Sequence, residues 1–192
     1  MSFLDWPIED YQFASQSARR QNVAARLIGL FARAFPEVNY SLIWDSRLVN
    51  AQAWRFGQAR NVYLYGGLVR HPGIGKAGLA VALAHETGHH LGGPPRDPDL
   101  RWMAWQGQAD YWAASVAMPR VFGPQARRMT LCGAREIVKL HEAFDRQFGC
   151  EEPDLSPKCR FRIFHAGVSN AELPDCAKAE YQECFNRPYP QV

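Results

Sequence analysis

The sequence predicts an α+β fold: a small sheet built early in the chain, then a helical second half. Three observations carry this. Two short runs rich in β-formers lie between residues 38 and 67, helical spacing flanks them on both sides, and the strands precede the later helices instead of alternating with them. A length of 192 residues is enough to bury one sizeable core, so one domain spanning 1–192 is expected, with its core over about 14–147 and a Cys-containing tail over 148–192.

Residues 14–35 place Val23, Leu27, Leu30, Phe31 and Ala34 at helical spacing, and Pro36 stops the run. "VNYSLIWD" (38–45) alternates well enough for a strand, and "NVYLYGG" (61–67) reads as a second strand closed by a glycine pair. After the linker "HPGIGKAG", an apolar helix starts near residue 77. Residues 100–118 form a further helix ended by Pro119, and 124–147 another that ends near Gly149. There is no internal repeat or low-complexity tract.

Composition narrows the function classes. At 47% hydrophobic and 12% aromatic residues the chain is far from the disordered class. A net charge of +3 with no dense Lys/Arg stripe gives no reason to expect nucleic acid. No run reaches the length of a membrane span, and the acidic opening residues show no signal-peptide pattern.

Four of the five cysteines, Cys150, Cys159, Cys176 and Cys184, fall in a loop-rich tail without C-x-x-C knuckles. Two disulfides with three conceivable pairings are the reading, free thiols the alternative. Disulfides point to a periplasmic or secreted protein, with the cytoplasm as the alternative. Cys132, remote from any histidine in sequence, reads as a buried thiol.

The stretch "LAVALAHETGHHLGG" (79–93) carries the chemistry. His85, Glu86 and His89 form H-E-x-x-H, whose two histidines lie one helical turn apart on one face and can grip one ion, with the glutamate beside it. Zinc there would acidify a water, Glu86 would take its proton, and the proton would pass to the leaving amine. Ordinary polar capping of a helix end is the competing explanation. It fares poorly, because the apolar turns upstream bury this helix, and unpartnered buried imidazoles and carboxylate are costly. His90 points about 100° away from His89 and is read as a hydrogen-bonding neighbour. The spacing that would bring a third histidine after Gly92 meets Pro95, which cannot ligate.

The run from Val49 to His90 resembles the active-site half of the gluzincin metallopeptidases that include the CAAX prenyl proteases and heat-shock protein X. It carries Asn50-Ala51, Val62-Tyr63-Leu64, Gly67-Leu68 and His85-Glu86-His89 in the places that family shows. "HHLGG" with "GQADYWA" is also similar to a set of bacterial metallopeptidase-like sequences. The resemblance covers roughly residues 48–118. It implies a zincin-like domain, an extended peptide or protein substrate along an edge strand around 61–67, and Asp110 as support for a histidine ligand. It also implies a zinc-binding glutamate on the next helix, and that position is Gln106.

An amide oxygen is a weaker zinc ligand than a carboxylate. Gln106 can bind through its carbonyl, Asp110 can replace it one turn along, or the site can hold metal poorly. The reading is a zinc-dependent peptidase with His85, His89 and Gln106 as ligands and Glu86 as base. The alternatives are a catalytically silent zincin-fold binding module and a metal-dependent hydrolase acting on other substrates. His141 and His165 are weaker candidates for stabilising an oxyanion. His71 reads as solvent-facing, and Tyr111 and Trp112 as packing residues.

Overall fold

Ser17 opens the first helix, its hydroxyl accepting a hydrogen bond from the Arg20 N–H and satisfying one of the donors a helix start leaves over. The computed structural model describes residues 17–148 and 155–186. The predicted start at residue 14 and Cys150 lie outside this range. Helix α1 (Ala18–Ala34) buries Ala24, Leu27 and Phe31, the face its apolar spacing defines. Strands β1 (Asn39–Ile43), β2 (Ala51–Phe56) and β3 (Ala59–Tyr65) follow, then a short helix α2 (Gly66–Arg70) and the long α3 (Lys76–Leu91).

The sheet has the order β1-β3-β2, with β1 parallel and β2 antiparallel to β3. This corrects two sequence expectations. β2 was not foreseen, and β3 is the central strand, so the predicted edge around 61–67 is paired on both sides. β2 is the edge strand that lies against α3. Its inward residues, Ala51 and Ala53, are small and fully buried, which lets the helix come close beneath it. Val62 and Leu64 continue that buried face, while Trp54 and Phe56 are exposed on the other.

α3 is buried without interruption from Gly78 to His90, the pattern of a helix surrounded on all sides. Its N-terminus lacks a side-chain cap of its own. Glu136 supplies one from another helix, accepting bonds from the Gly75 and Gly78 N–H groups at 2.8 Å each and placing negative charge at the positive end of the helix dipole. Arg20 fixes the preceding linker by donating to the carbonyls of Val69, His71 and Ile74.

The second half is helical, with changed boundaries. α4 (Gln106–Trp112) starts later than predicted, because residues 92–105 fold back along the end of α3: the Ala104 N–H donates to the His89 carbonyl and the Trp105 N–H to that of Pro95. A π-helical segment (Ala113–Ala117) leads into α5 (Met118–Phe122). Pro119 therefore does not end the helix. It sits in the first turn of α5, directly after the π-helical turn that carries the helix into it. α6 (Ala126–Phe148) matches its prediction and packs along α3.

The tail departs most from expectation. Its described residues are not loop-rich: α7 (Pro157–Ser169) and α8 (Asp175–Asn186) make up most of them, and Ile163 and Phe164 of α7 are completely buried. Among the described residues one disulfide, Cys159–Cys176, ties the two helices. The Cys184 side chain lies outside what the structure describes. Cys132 is exposed on α6, not buried. Among the described residues no helix is long and apolar enough to cross a membrane.

Candidate metal centre

Each polar residue at the end of α3 has its own direction. Thr87 turns back, donating to the Leu83 carbonyl and meeting the Tyr40 hydroxyl of β1. His90 faces the sheet, with Nε2 on the Asn61 carbonyl at 3.0 Å and its ring stacked on Trp102. Gly88 faces α4 at a distance where a Cβ would stand 2.8 Å from the Ala109 carbonyl oxygen, so only glycine admits the neighbouring helix this closely. That leaves His85, Glu86 and His89 pointing into one buried space, their ligating atoms all within 4.8 Å of one another. The two imidazole centroids are 4.5 Å apart with planes at 82°.

The outer nitrogens of both rings are committed. His85 Nδ1–H donates to Asp110 Oδ1 at 2.6 Å, and His89 Nδ1–H donates to the Ala104 carbonyl at 2.9 Å. Both bonds select the tautomer whose Nε2 lone pair is the one available to a cation. His89 Nε2 and both Glu86 carboxylate oxygens are buried and make no hydrogen bond. The Ala53 N–H of β2 faces the Glu86 carboxylate from outside hydrogen-bond geometry.

Such a set is expensive in an apolar interior unless a ligand joins it. Burial pushes Glu86 well above the usual carboxylate range and His89 well below the usual imidazole range. Burial also lowers His85, against the opposing pull of Asp110. Two neutral imidazoles and a carboxylate converging in one space are the donor chemistry that a divalent cation satisfies, and zinc takes N and O ligands of this kind. The residues present fit a metal ion.

Gln106, at the first turn of α4, is buried and within hydrogen-bonding reach of His85. Asp110 is one turn further along, behind His85 and outside the cluster of His85, Glu86 and His89. Both of its oxygens are occupied, by His85 and by a residue the sequence reading missed, Arg160 of α7. The Arg160 Nε–H donates to Oδ2 and Nη2–H to Oδ1, each at 2.8 Å. Burial alone would raise the Asp110 carboxyl, but Arg160 and His85 together more than offset it and hold it far below its usual range. His141 is buried against Arg160, its Nε2 3.3 Å from Nη1. His165 is exposed on α7 and does not reach the cluster. His71 is half-buried and meets Phe144 edge-on, not solvent-facing as expected. Tyr111 and Trp112 pack, Tyr111 donating to the Ala171 carbonyl and Trp112 lying against Phe35.

No protein-family model matches the chain, and neither a curated protein nor a solved structure matches it.

Arg160 had little chance of being found from sequence. A buried arginine is rare without a partner, and this one's partner lies 50 residues upstream. The available signal was Asp110 itself, a carboxylate in an apolar helix that needs a cation somewhere.

Proposed function

We propose that the chain is a zinc-dependent peptidase of zincin-like architecture. The observation that carries this reading is the buried meeting of His85, Glu86 and His89, with each imidazole tied at Nδ1 and turned toward the same space. His85 and His89 would hold zinc, with the Gln106 amide oxygen as third ligand. Asp110 serves as the orienting partner of His85, since its two oxygens are already engaged. Bound zinc supplies a Lewis acid that acidifies water and polarises the scissile carbonyl. Glu86, one position from His85 and free of hydrogen bonds, takes the proton from the attacking water and delivers it to the leaving amine. An extended peptide would lie along β2, the edge strand whose Ala53 faces Glu86.

The Cys159–Cys176 bond favours an oxidising compartment, the periplasm or the exterior, over the cytoplasm. One observation favours a second reading, a silent zincin-fold binding module: Gln106 stands where a carboxylate would grip zinc more firmly. A digest of denatured proteins by wild type and Glu86→Gln separates the two. Chelator-sensitive cleavage that disappears in the variant is the expected result. No cleavage by zinc-loaded wild type, with retained capture of peptides, would give the module.

A further inference from the structure

We infer that Arg160 is a positioning residue for the metal centre, fixing the His85 ring through Asp110, so that the C-terminal helix α7 is a working part of the site. The inference rests on the zinc reading above and concerns how its ligand geometry is maintained.

Asp110 Oδ1 is shared: it accepts from His85 Nδ1 at 2.6 Å and from Arg160 Nη2 at 2.8 Å, while Oδ2 accepts from Arg160 Nε at 2.8 Å. A carboxylate held by the two prongs of a guanidinium has its plane fixed, and the direction of its bond to His85 is fixed with it. Removing the fork leaves Oδ2 without this partner and allows the carboxylate to turn about its Cβ–Cγ bond, carrying the imidazole with it. A lysine cannot bridge both oxygens in the same plane.

The placement of Arg160 is itself secured from several sides. Ser156 caps α7, accepting from the Cys159 N–H, and Cys159, the neighbour of Arg160, is bonded to Cys176 of α8. At Gly167 a Cβ would stand 2.7 Å from both the Ala114 Cβ and the Tyr111 carbonyl, so α7 lies directly on the segment that carries Asp110. His141 of α6 receives the remaining prong. The chain His141–Arg160–Asp110–His85 thus links four helices, with every member buried.

The test is zinc affinity, measured by competition with a chromophoric chelator at fixed pH, for wild type, Asp110→Asn, Arg160→Met and the double variant, with circular dichroism to establish folding. Asp110→Asn and Arg160→Met should each weaken zinc binding by about 10- to 100-fold, as outer-sphere partners of ligating histidines do. In the Asp110→Asn background, Arg160→Met should add less than about threefold: Arg160 Nη2 also lies 3.4 Å from His85 Nδ1, but there two N–H donors face each other, so this contact does not orient the ring and the route through the carboxylate is already cut. A purely structural arginine gives factors that multiply, and that result overturns the inference. So does an Arg160→Met protein that binds zinc as wild type does. Arg160→Lys keeps the charge without the fork, and its expected loss is intermediate and again absent beside Asp110→Asn. Should Arg160→Met fail to fold, this pair carries the test, and wild-type affinity in Arg160→Lys overturns the inference. Wild type that takes up no zinc overturns the peptidase reading as well, whereas unchanged affinity in the variants removes the Arg160 inference alone.

Discussion

Substituting Gly88→Ala sets two known effects against each other inside α3, the helix that carries His85, Glu86 and His89. Alanine is favoured over glycine in a helix interior by ~1 kcal/mol, which would stabilise α3. Against this, the new Cβ would stand 2.8 Å from the Ala109 carbonyl oxygen and 3.0 Å from its Cα. Overpacking of this kind costs about 1–3 kcal/mol. The obstacles are main-chain atoms that no rotamer change can remove, so the upper half of that range applies and the net loss is about 1–2 kcal/mol. For a chain of this size each kcal/mol moves the midpoint by roughly 2–4 °C, giving a fall in Tm of about 2–8 °C. Gly29 in α1 is the control. Its added Cβ would meet nothing nearer than the Arg33 guanidinium at 3.6 Å. Gly29→Ala should therefore raise Tm by about 1–4 °C. Thermal unfolding of the metal-free proteins, followed by circular dichroism in one buffer, reads both. A Gly88→Ala protein at or above the wild-type midpoint would refute the close approach of α3 and α4, and with it the placement of Gln106 beside His85.

Two further predictions concern the site itself. Gln106→Glu should tighten zinc binding by tenfold or more, since a carboxylate replaces an amide oxygen; unchanged affinity in a chelator competition would remove Gln106 from the ligand set. The contribution of His90 to the stability of the metal-free protein should fall on mild acidification. Burial pushes His90 down to about 4, so the unfolded chain, titrating near 6.5, takes up the proton first. The contribution of His90 is therefore fully present above pH 6.5 and falls as pH drops toward 4, by about 2 kcal/mol at pH 5. Urea unfolding of wild type and His90→Gln at pH 7 and pH 5 isolates this component, and equal pH dependence in the two proteins would contradict it.

What could be read from the sequence was whatever a short segment decides for itself. α3 announces its burial in "LAVALA", the spacing that follows it predicts the meeting of His85, Glu86 and His89, and α1 and α6 show their apolar faces in their spacing. β2 escaped notice because its inward positions are Ala51 and Ala53, weak strand formers chosen by the nearness of α3 and not by strand propensity. That omission also misplaced the sheet edge, since β3 is central only because β2 lies beside it. In the tail, the cysteines suggested a stapled loop, whereas Ile163 and Phe164 join the buried interior and Arg160 pairs with Asp110. Pairings across 50 residues leave no local pattern, so this part of the site required the fold.

X-ray absorption at the zinc edge, on wild-type protein loaded by dialysis and quantified for metal, tests the central claim most directly. The account predicts one zinc per chain, a shell of nitrogen and oxygen with the outer scattering of two imidazoles, and loss of uptake in His89→Ala. A protein that stays empty in excess zinc, or binds it with fewer than two imidazoles, would contradict it.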